Sequence, residues 1–385
     1  MSTEGLVSQD DGVSRESRVS TGDIVAPEDA ASPRDHATPD HAMSPEDHLS
    51  TDDLAGPKSR VAPEDTVSPQ DRANPDHATS PAGRVSPNDA VPREAKAPVG
   101  TPGAPRFAPE WLLLREGADA AARAKDLLGP LRHRLTAAAR VPGRRPLLVR
   151  DLGCGTGSMG RWLVGRLPGP QRWVLHDRDP VLLARARTGL PGAAADGTPV
   201  TASTHTGDLT RLRGADLAGT ALVTASALLD LLTADEVDGL AAACVAAACP
   251  ALLTLSVTGR VALSPADPLD AAIGAAFNAH QRRATAGRRL LGPDAVASAV
   301  GAFRRRGAEV RVRPSPWRLG PERAALTAEW LVGWVAAAVE QCPELAGRAD
   351  DYLGRRLEAC AAGGLAVVVQ HADLLSLPAA PGGET

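Results

Sequence analysis

The apolar positions of this chain change their rhythm along its length. Between 109 and 139 they recur with helical spacing, at Trp111, Leu112, Leu113, Leu114, Ala121, Leu127, Leu128, Leu131 and Leu135. Pro130 inside that run predicts a break into two helices. From 146 onward short apolar runs alternate with helical ones. Strands are expected at 147–152, 172–177, 199–208, 221–229 and 251–258, with helices at 158–167, 180–190 and 233–248 between them. That alternation predicts a parallel sheet with helices on both faces and right-handed connections. Past the fifth strand the order changes. Helices are expected at 265–283 and 293–306, a strand at 308–317, helices at 321–340 and 343–361, and a last strand at 365–371. The two helices between the final strands predict a lid or an extra wall.

The first hundred residues follow neither rhythm. Pro27, Pro33, Pro39 and Pro45 are six apart, and so are Pro57, Pro63, Pro69, Pro75, Pro81 and Pro87. A six-residue period first suggests a parallel β-helix. Such a coil needs large aliphatics stacked at one position of the repeat. Here that position holds only Val, Ala, Met, Leu or Thr, beside a proline in nearly every repeat. The sequence buries too little to offset the entropy of ordering, so residues 1–105 read as a disordered tail with polyproline-II bias. The expected domain then spans 106–378, with an N-terminal helical cap (106–140), a core (146–258) and a C-terminal helical part (259–378), followed by a short tail, 379–385.

Charge follows the same division. Residues 1–100 carry 19 acidic and 9 basic side chains, a net of −10, which leaves about +6 on the rest of a chain whose total is −4. A mildly basic body with only 3% aromatics lacks the basic, aromatic-laced stripe of a nucleic-acid binder. The five cysteines, Cys154, Cys244, Cys249, Cys342 and Cys360, have no metal-ligand spacing, so no metal site is expected. Their odd, scattered count fits a reducing cytoplasm. No run reaches the ~18 uninterrupted apolar residues of a membrane span.

The densest chemical signal is Asp151-Leu152-Gly153-Cys154-Gly155-Thr156-Gly157. A strand runs into a glycine-rich turn that opens a helix. Glycine lets the backbone approach a ligand, and the helix start offers unpaired N–H groups. This is the place for a nucleotide-like ligand at the first strand–helix turn. Gly155, Gly157 and Gly160 also spell the dinucleotide pattern GxGxxG. That reading sets Asp151 against a pyrophosphate, which it would repel. The same acid suits a ligand that carries an ammonium and a sulfonium. Asp177 ends the second strand, twenty residues past Gly157, where a carboxylate can accept both ribose hydroxyls. Asp208, after the third strand, can accept adenine amino hydrogens or cap the next helix.

In their order and intervals, DLGCGTGSMG, WVLHDRDP and HTGDL resemble motifs I, II and III of the class I S-adenosylmethionine-dependent methyltransferases. The resemblance covers most of 146–258. It implies a Rossmann-like α/β fold with a seven-stranded sheet of order 3-2-1-4-5-7-6, the seventh strand antiparallel. It implies S-adenosylmethionine as cofactor, held by Asp151, Gly153, Cys154, Gly155, Gly157, Asp177, Arg178, Asp208 and Leu209. It also places the loop Ser226–Asp230 opposite the cofactor sulfur, with Ser226 in contact. The segment 277–283, FNAHQRR, more loosely resembles bacterial members of the same family and names no substrate.

The implied reaction is methyl transfer to an oxygen or nitrogen of a small molecule. Nucleic-acid methylation and nicotinamide-dependent oxidoreduction stand as alternatives. The acceptor side is expected on the carboxyl edge of the sheet. His280 is the candidate base, since an imidazole can take up a proton near neutral pH, or else one of a helix-terminal cluster meeting the C-terminal dipole. Asp230 is the second catalytic candidate, or a cap. Asn278 and Gln281 are candidates for substrate contact. Arg115, Asp119 and Arg123 share one helical face, as plain ion pairing or as a group closing over the cofactor carboxylate, and Arg115 is also a candidate for substrate contact. Trp317 is expected in a wall and Arg304–Arg306 on a solvated face. Neither membrane nor nucleic-acid partners are expected, and the sequence leaves the oligomeric state open.

Overall fold

A computed structural model of the chain describes residues 108–139, 146–209, 212–285 and 287–379. The hexad tail and residues 380–385 lie outside the described residues, so the expectation of disorder does as well.

The N-terminal helices differ from expectation in where they break. Helix α1 (Pro109–Ala122) starts with proline at its first position, followed by a single 3-10 turn at Lys125–Leu127 and α2 (Leu128–Ala139). Pro130 is the third residue of α2, where its missing N–H has no intrahelical partner to lose. The break comes at Arg123-Ala124 instead, because the Ala124 N–H is taken by the Asp373 carboxylate at 2.8 Å.

The sheet is built from β1 (Leu147–Leu152), β2 (Gln171–Asp177), β3 (Val200–Thr206), β4 (Leu222–Ser226) and β5 (Ala251–Ser264). Between them run α3 (Ser158–Val164), α4 (Pro180–Gly189) and α5 (Ala234–Ala246). After β5 come α6 (Asp270–Gln281), a two-residue-per-arm hairpin β6–β7 (Ala284–Thr285, Arg288–Arg289) and α7 (Ala295–Arg304). Then follow β8 (Glu309–Pro314), β9 (Trp317–Leu319), α8 (Ala324–Gln341), α9 (Ala346–Ala361) and β10 (Ala366–Leu377). The order across the sheet is β3-β2-β1-β4-β5-β10-β8, with β9 also on β10. Strands β1 to β5 pair in parallel and β10 runs antiparallel to both neighbours. With β8 and β9 as two pieces of strand six and β10 as strand seven, this is the expected order 3-2-1-4-5-7-6.

Both faces are covered. On one, Leu131, Leu135, Met159, Trp162, Leu183 and Trp173 pack over the sheet. On the other, Val237, Leu240, Ala299 and Phe303 pack over Val223 and Leu253. Trp173 is wholly buried, and its indole N–H donates to Gln171 Oε1 at 2.9 Å.

Two strands outrun their expected lengths. Thr254 of β5 lies opposite Ser226 at the end of β4. From there β5 continues ten residues to Ser264, an arm of roughly 33 Å at strand rise, paired with β10 as far as Ala366. Gly259 reads as a stop in sequence, yet Val261 and Leu263 beyond it resume period-two alternation into a third core. That core joins the arm to α6, α8 and α9 through Ile273, Trp330, Trp334 and Tyr352. Trp330 and Trp334 stack at 5.0 Å. The inserted helices therefore form a wall around the arm.

Candidate functional site

The turn after β1 has the geometry its glycines foretell. Gly153, Gly155 and Gly157 have φ of 61°, 55° and 86°, the left-handed region that side chains avoid. Space is also short. A Cβ on Gly157 would come within 3.0 Å of the Ala186 Cα in α4, and one on Gly155 within 3.2 Å of Leu112 Cδ1 in α1. Asp177 at the end of β2 accepts the Gly155 N–H at 2.8 Å and the Asp179 N–H at 3.0 Å. The second-strand acid is thereby pinned against the glycine turn.

Asp151 is fully buried. One carboxylate oxygen accepts from the Thr224 hydroxyl at 2.7 Å, and the other has no partner. Burial pushes its pKa up to about 7, against the pull of the Thr224 hydrogen bond and of Arg123. The folded chain thus holds a proton that the unfolded chain has already released. Stability from this group is full below about pH 4 and is lost as pH rises to about 7. Melting temperatures at pH 5 and pH 8 are expected to differ more in the wild type than in Asp151→Asn. Equal differences would show that Asp151 titrates normally.

Next to this acid lies a buried base. Arg123 leaves the end of α1 and is 2% exposed. Its Nη2 donates to the hydroxyls of Ser158 and Ser226, each at 3.1 Å. The guanidinium lies 5.5 Å over the Trp162 ring, and its Nε and Nη1 have no partner. Thr254 donates to Ser226 at 3.2 Å and completes the row. Burial lowers the Arg123 pKa, while Asp119, Asp373 and Asp151 act to raise it. Asp373 fixes the arrangement: it accepts the Ala124 N–H and the Leu255 N–H, both at 2.8 Å. Leu255 at φ 57° and Ala227 at φ 51° hold left-handed backbone just where β4 and β5 reach this row, the kind of strain that concentrates at functional sites.

Further along α1, Arg115 pairs with Asp119 at 3.0 Å and lies 4.9 Å over the Trp317 ring. The Trp317 N–H donates to Asp119 at 2.9 Å, and its ring meets His371 of β10 at 5.2 Å. Trp317 thus packs between Arg115 and Asp119 of α1 and His371 of β10.

The other sequence candidates divide. Ser226, Asp151, Asp177 and the glycines gather at one place. The Cys154 thiol points into the core with its pKa raised by burial, so that residue can offer only backbone to a ligand at the turn. Arg178 and Asp208 are exposed, and Leu209 is half-buried against the α5 side of the sheet. Arg288 of the β6–β7 hairpin feels the charge of Asp208 and bonds Glu236 at 2.6 Å, so this hairpin, which the sequence did not foretell, stands beside the loop after β3. Asp230 is not a helix cap; that place is filled by Thr233, paired reciprocally with Glu236. Asp230 keeps one buried oxygen without a partner, and burial raises its pKa. Asn278 donates to the Gly259 carbonyl at 2.7 Å and ties α6 to the arm. Gln281 packs against Gly292 with its amide oxygen unpaired.

His280 is engaged on both ring nitrogens, with Glu340 of α8 at 3.2 Å and Arg283 at 2.9 Å. These partners set it in the contact between α6 and α8 rather than with Asp151, Arg123 and Ser226. His280→Ala is expected to leave cofactor affinity unchanged and to lower stability by about 1–3 kcal/mol, the worth of two hydrogen bonds on a ring that is 11% exposed. A calorimetric titration that shows a tenfold loss of affinity would contradict this placement.

Sequence reasoning missed His371 and Asp373, because a valine-rich strand end hides single polar positions, and it named Arg123 within the row Arg115, Asp119 and Arg123, as ion pairing or as a group closing over the cofactor carboxylate. The available signal was an acid and an imidazole two residues apart within a run otherwise fit for a buried strand.

No protein-family model and no curated protein sequence matches the chain. Several solved structures overlap it. One is a SAM-dependent methyltransferase from Geobacter sulfurreducens in complex with S-adenosyl-L-homocysteine, at TM-score 0.34 and 14% identity over 71% of this chain and 99% of that one. Another is magnesium protoporphyrin IX methyltransferase from Synechocystis PCC 6803, at TM-score 0.31 and 14% identity over 49% and 75%. A third is a cyclopropane synthase from Mycobacterium tuberculosis, at TM-score 0.34 and 12% identity over 70% and 94%. The sheet itself decides the fold: five parallel strands in the order 3-2-1-4-5, an antiparallel seventh strand between the fifth and the sixth, and a left-handed glycine turn after the first give this chain the fold of the class I S-adenosylmethionine-dependent methyltransferases.

Proposed function

We propose that the protein is an S-adenosylmethionine-dependent methyltransferase acting on an oxygen or nitrogen of a small molecule. One observation carries this reading. Beside the glycine turn, a buried guanidinium with two unpartnered donor atoms lies close enough to a buried carboxylate with one unpartnered oxygen to influence its charge. Unpaired buried polar atoms are costly and call for partners. An α-amino acid end supplies both at once: its carboxylate suits Arg123 and its ammonium suits Asp151. A pyrophosphate would face Asp151 with like charge, which speaks against a nicotinamide dinucleotide.

When bound, S-adenosylmethionine supplies a methyl group already activated on a sulfonium. This chain's residues then hold and orient. Asp177 offers its remaining lone pairs to the ribose hydroxyls, and Asp208 stands at the adenine end. Ser226 and the strained Ala227 bring the end of β4 toward the reacting region. Helix α1 covers that region through Leu112, Arg115 and Arg123 and so excludes water. Calorimetry is expected to give micromolar binding of S-adenosylmethionine or S-adenosylhomocysteine and none of NAD. Binding of NAD alone would overturn the assignment.

A further inference from the structure

Under α1, away from Arg123 and Asp151, a second set of polar atoms surrounds Arg115. His371 lies on β10 where the pairing with β5 is irregular, and it is 4% exposed. Its Nδ1 is buried and has no hydrogen-bond partner. Its neighbours are already committed: the Trp317 N–H to Asp119, and the Arg115 Nε and Nη2 to Asp119 as well. Oδ1 of Asp230, on the loop after β4, and Oγ of Ser315, whose N–H donates to the His371 carbonyl at 2.9 Å, are also buried without a partner. The charge of Arg115 pulls the Asp230 carboxyl down against burial, and it adds to the burial that pushes the His371 ring down to about 3, against a hydrogen bond to the Val369 backbone. The ring is therefore neutral, and beside a cation it turns a lone pair rather than an N–H inward.

The sheet register locates the His371 ring. His371 faces Val257, three positions beyond Thr254, and Thr254 faces Ser226 across β4 and β5. His371 thus stands roughly 10 Å past the level of Ser226, on the arm that overhangs the carboxyl edge. Trp111 and Trp317 meet edge-on at 6.5 Å beside it. A neutral acceptor nitrogen that is buried and unpartnered suits a hydrogen-bond donor.

We propose that Nδ1 of His371 receives the X–H group, a hydroxyl or an N–H, of the molecule to be methylated. This rests on the methyltransferase reading above. His371 orients that group. The lone pair of X forms the new bond to the methyl carbon, the electrons of the broken C–S bond stay on sulfur, and the X–H proton leaves to solvent.

The test uses the full chain saturated with S-adenosylhomocysteine and three probes of similar size: phenol, aniline and toluene. Phenol, aniline or both are expected to bind about tenfold or more tightly than toluene, as one satisfied buried hydrogen bond allows. Preference for phenol assigns a hydroxyl, and preference for aniline an N–H. In His371→Phe the preference is expected to fall within twofold while S-adenosylhomocysteine affinity stays unchanged. A second measurement needs no variant: in long-range proton–nitrogen spectra of the wild type, Nδ1 of His371 is expected to be unprotonated and to shift with the bound donor. Equal binding of all three probes, binding of none, a preference that survives His371→Phe, or a protonated Nδ1 overturns the proposal. Failure of S-adenosylhomocysteine to bind overturns the methyltransferase reading itself.

Discussion

Arg123→Leu is expected to weaken S-adenosylhomocysteine binding by about a hundredfold or more and to leave binding of 5′-methylthioadenosine within twofold. The two ligands share the adenosine and the sulfur; only the first carries the amino acid end. Arg123 holds two unpartnered donor nitrogens in a site closed to water, with its third group tied to Ser158 and Ser226. Hydrogen bonds to a charged partner contribute about 1.5–3 kcal/mol each, so two of them exceed a hundredfold. Leucine fits the apolar stem but offers no donor. Arg123→Lys keeps a charge without the planar fork and is expected to recover only part of the loss. If both ligands weaken equally, the variant has disturbed the fold around Ala124 and Asp373. If neither weakens, the amino acid end lies elsewhere and the central observation behind the assignment fails.

What the sequence showed of this site follows from which residues act through backbone and which through position. Gly153, Gly155, Gly157 and the acids Asp151 and Asp177 act at the ends of adjacent parallel strands, close to one turn, so spacing alone brings them together. Arg123 and Asp373 are 250 residues apart in sequence and come together because β10 inserts antiparallel between β5 and β8. Short spacing rules do not see that distance. His371 stayed hidden for the same reason, and because period-two burial leaves a polar residue in a strand looking like an outward position. His280 drew notice through its polar neighbours, yet those neighbours are its partners: Glu340 and Arg283 take both ring nitrogens. The misplaced break in the N-terminal helices has a similar cause. Pro130 is a local signal, whereas the actual break at Arg123 is imposed by Asp373 from the far end of the chain.

Gly157→Val is expected to abolish S-adenosylhomocysteine binding and to lower the melting temperature by about 10 °C. The backbone there sits at φ 86°, and a left-handed conformation costs a branched residue at least about 1–2 kcal/mol. The new Cβ would meet the Ala186 Cα at 3.0 Å and its Cβ at 3.1 Å, so helix α4 must shift as a body. That helix begins at Asp179, whose side chain caps it and whose N–H is held by Asp177. A shift there moves the second-strand acid off the Gly155 N–H, and with it the ribose contact. Strain and displaced packing together come to about 3–5 kcal/mol, which is about 10 °C for a domain of this size. Gly155→Ala is the informative contrast. Its Cβ would meet only the tip of Leu112, a side chain free to turn away, at 3.2 Å. That variant is expected to lose about 1–2 kcal/mol of stability from its φ of 55° and to keep α4 in place. It also pushes Leu112 off the turn, so its affinity reads how closely α1 covers the bound ligand. A Gly157→Val protein that melts like the wild type and still binds would mean that α4 does not need its close approach to the turn, and that the third glycine is there for φ alone.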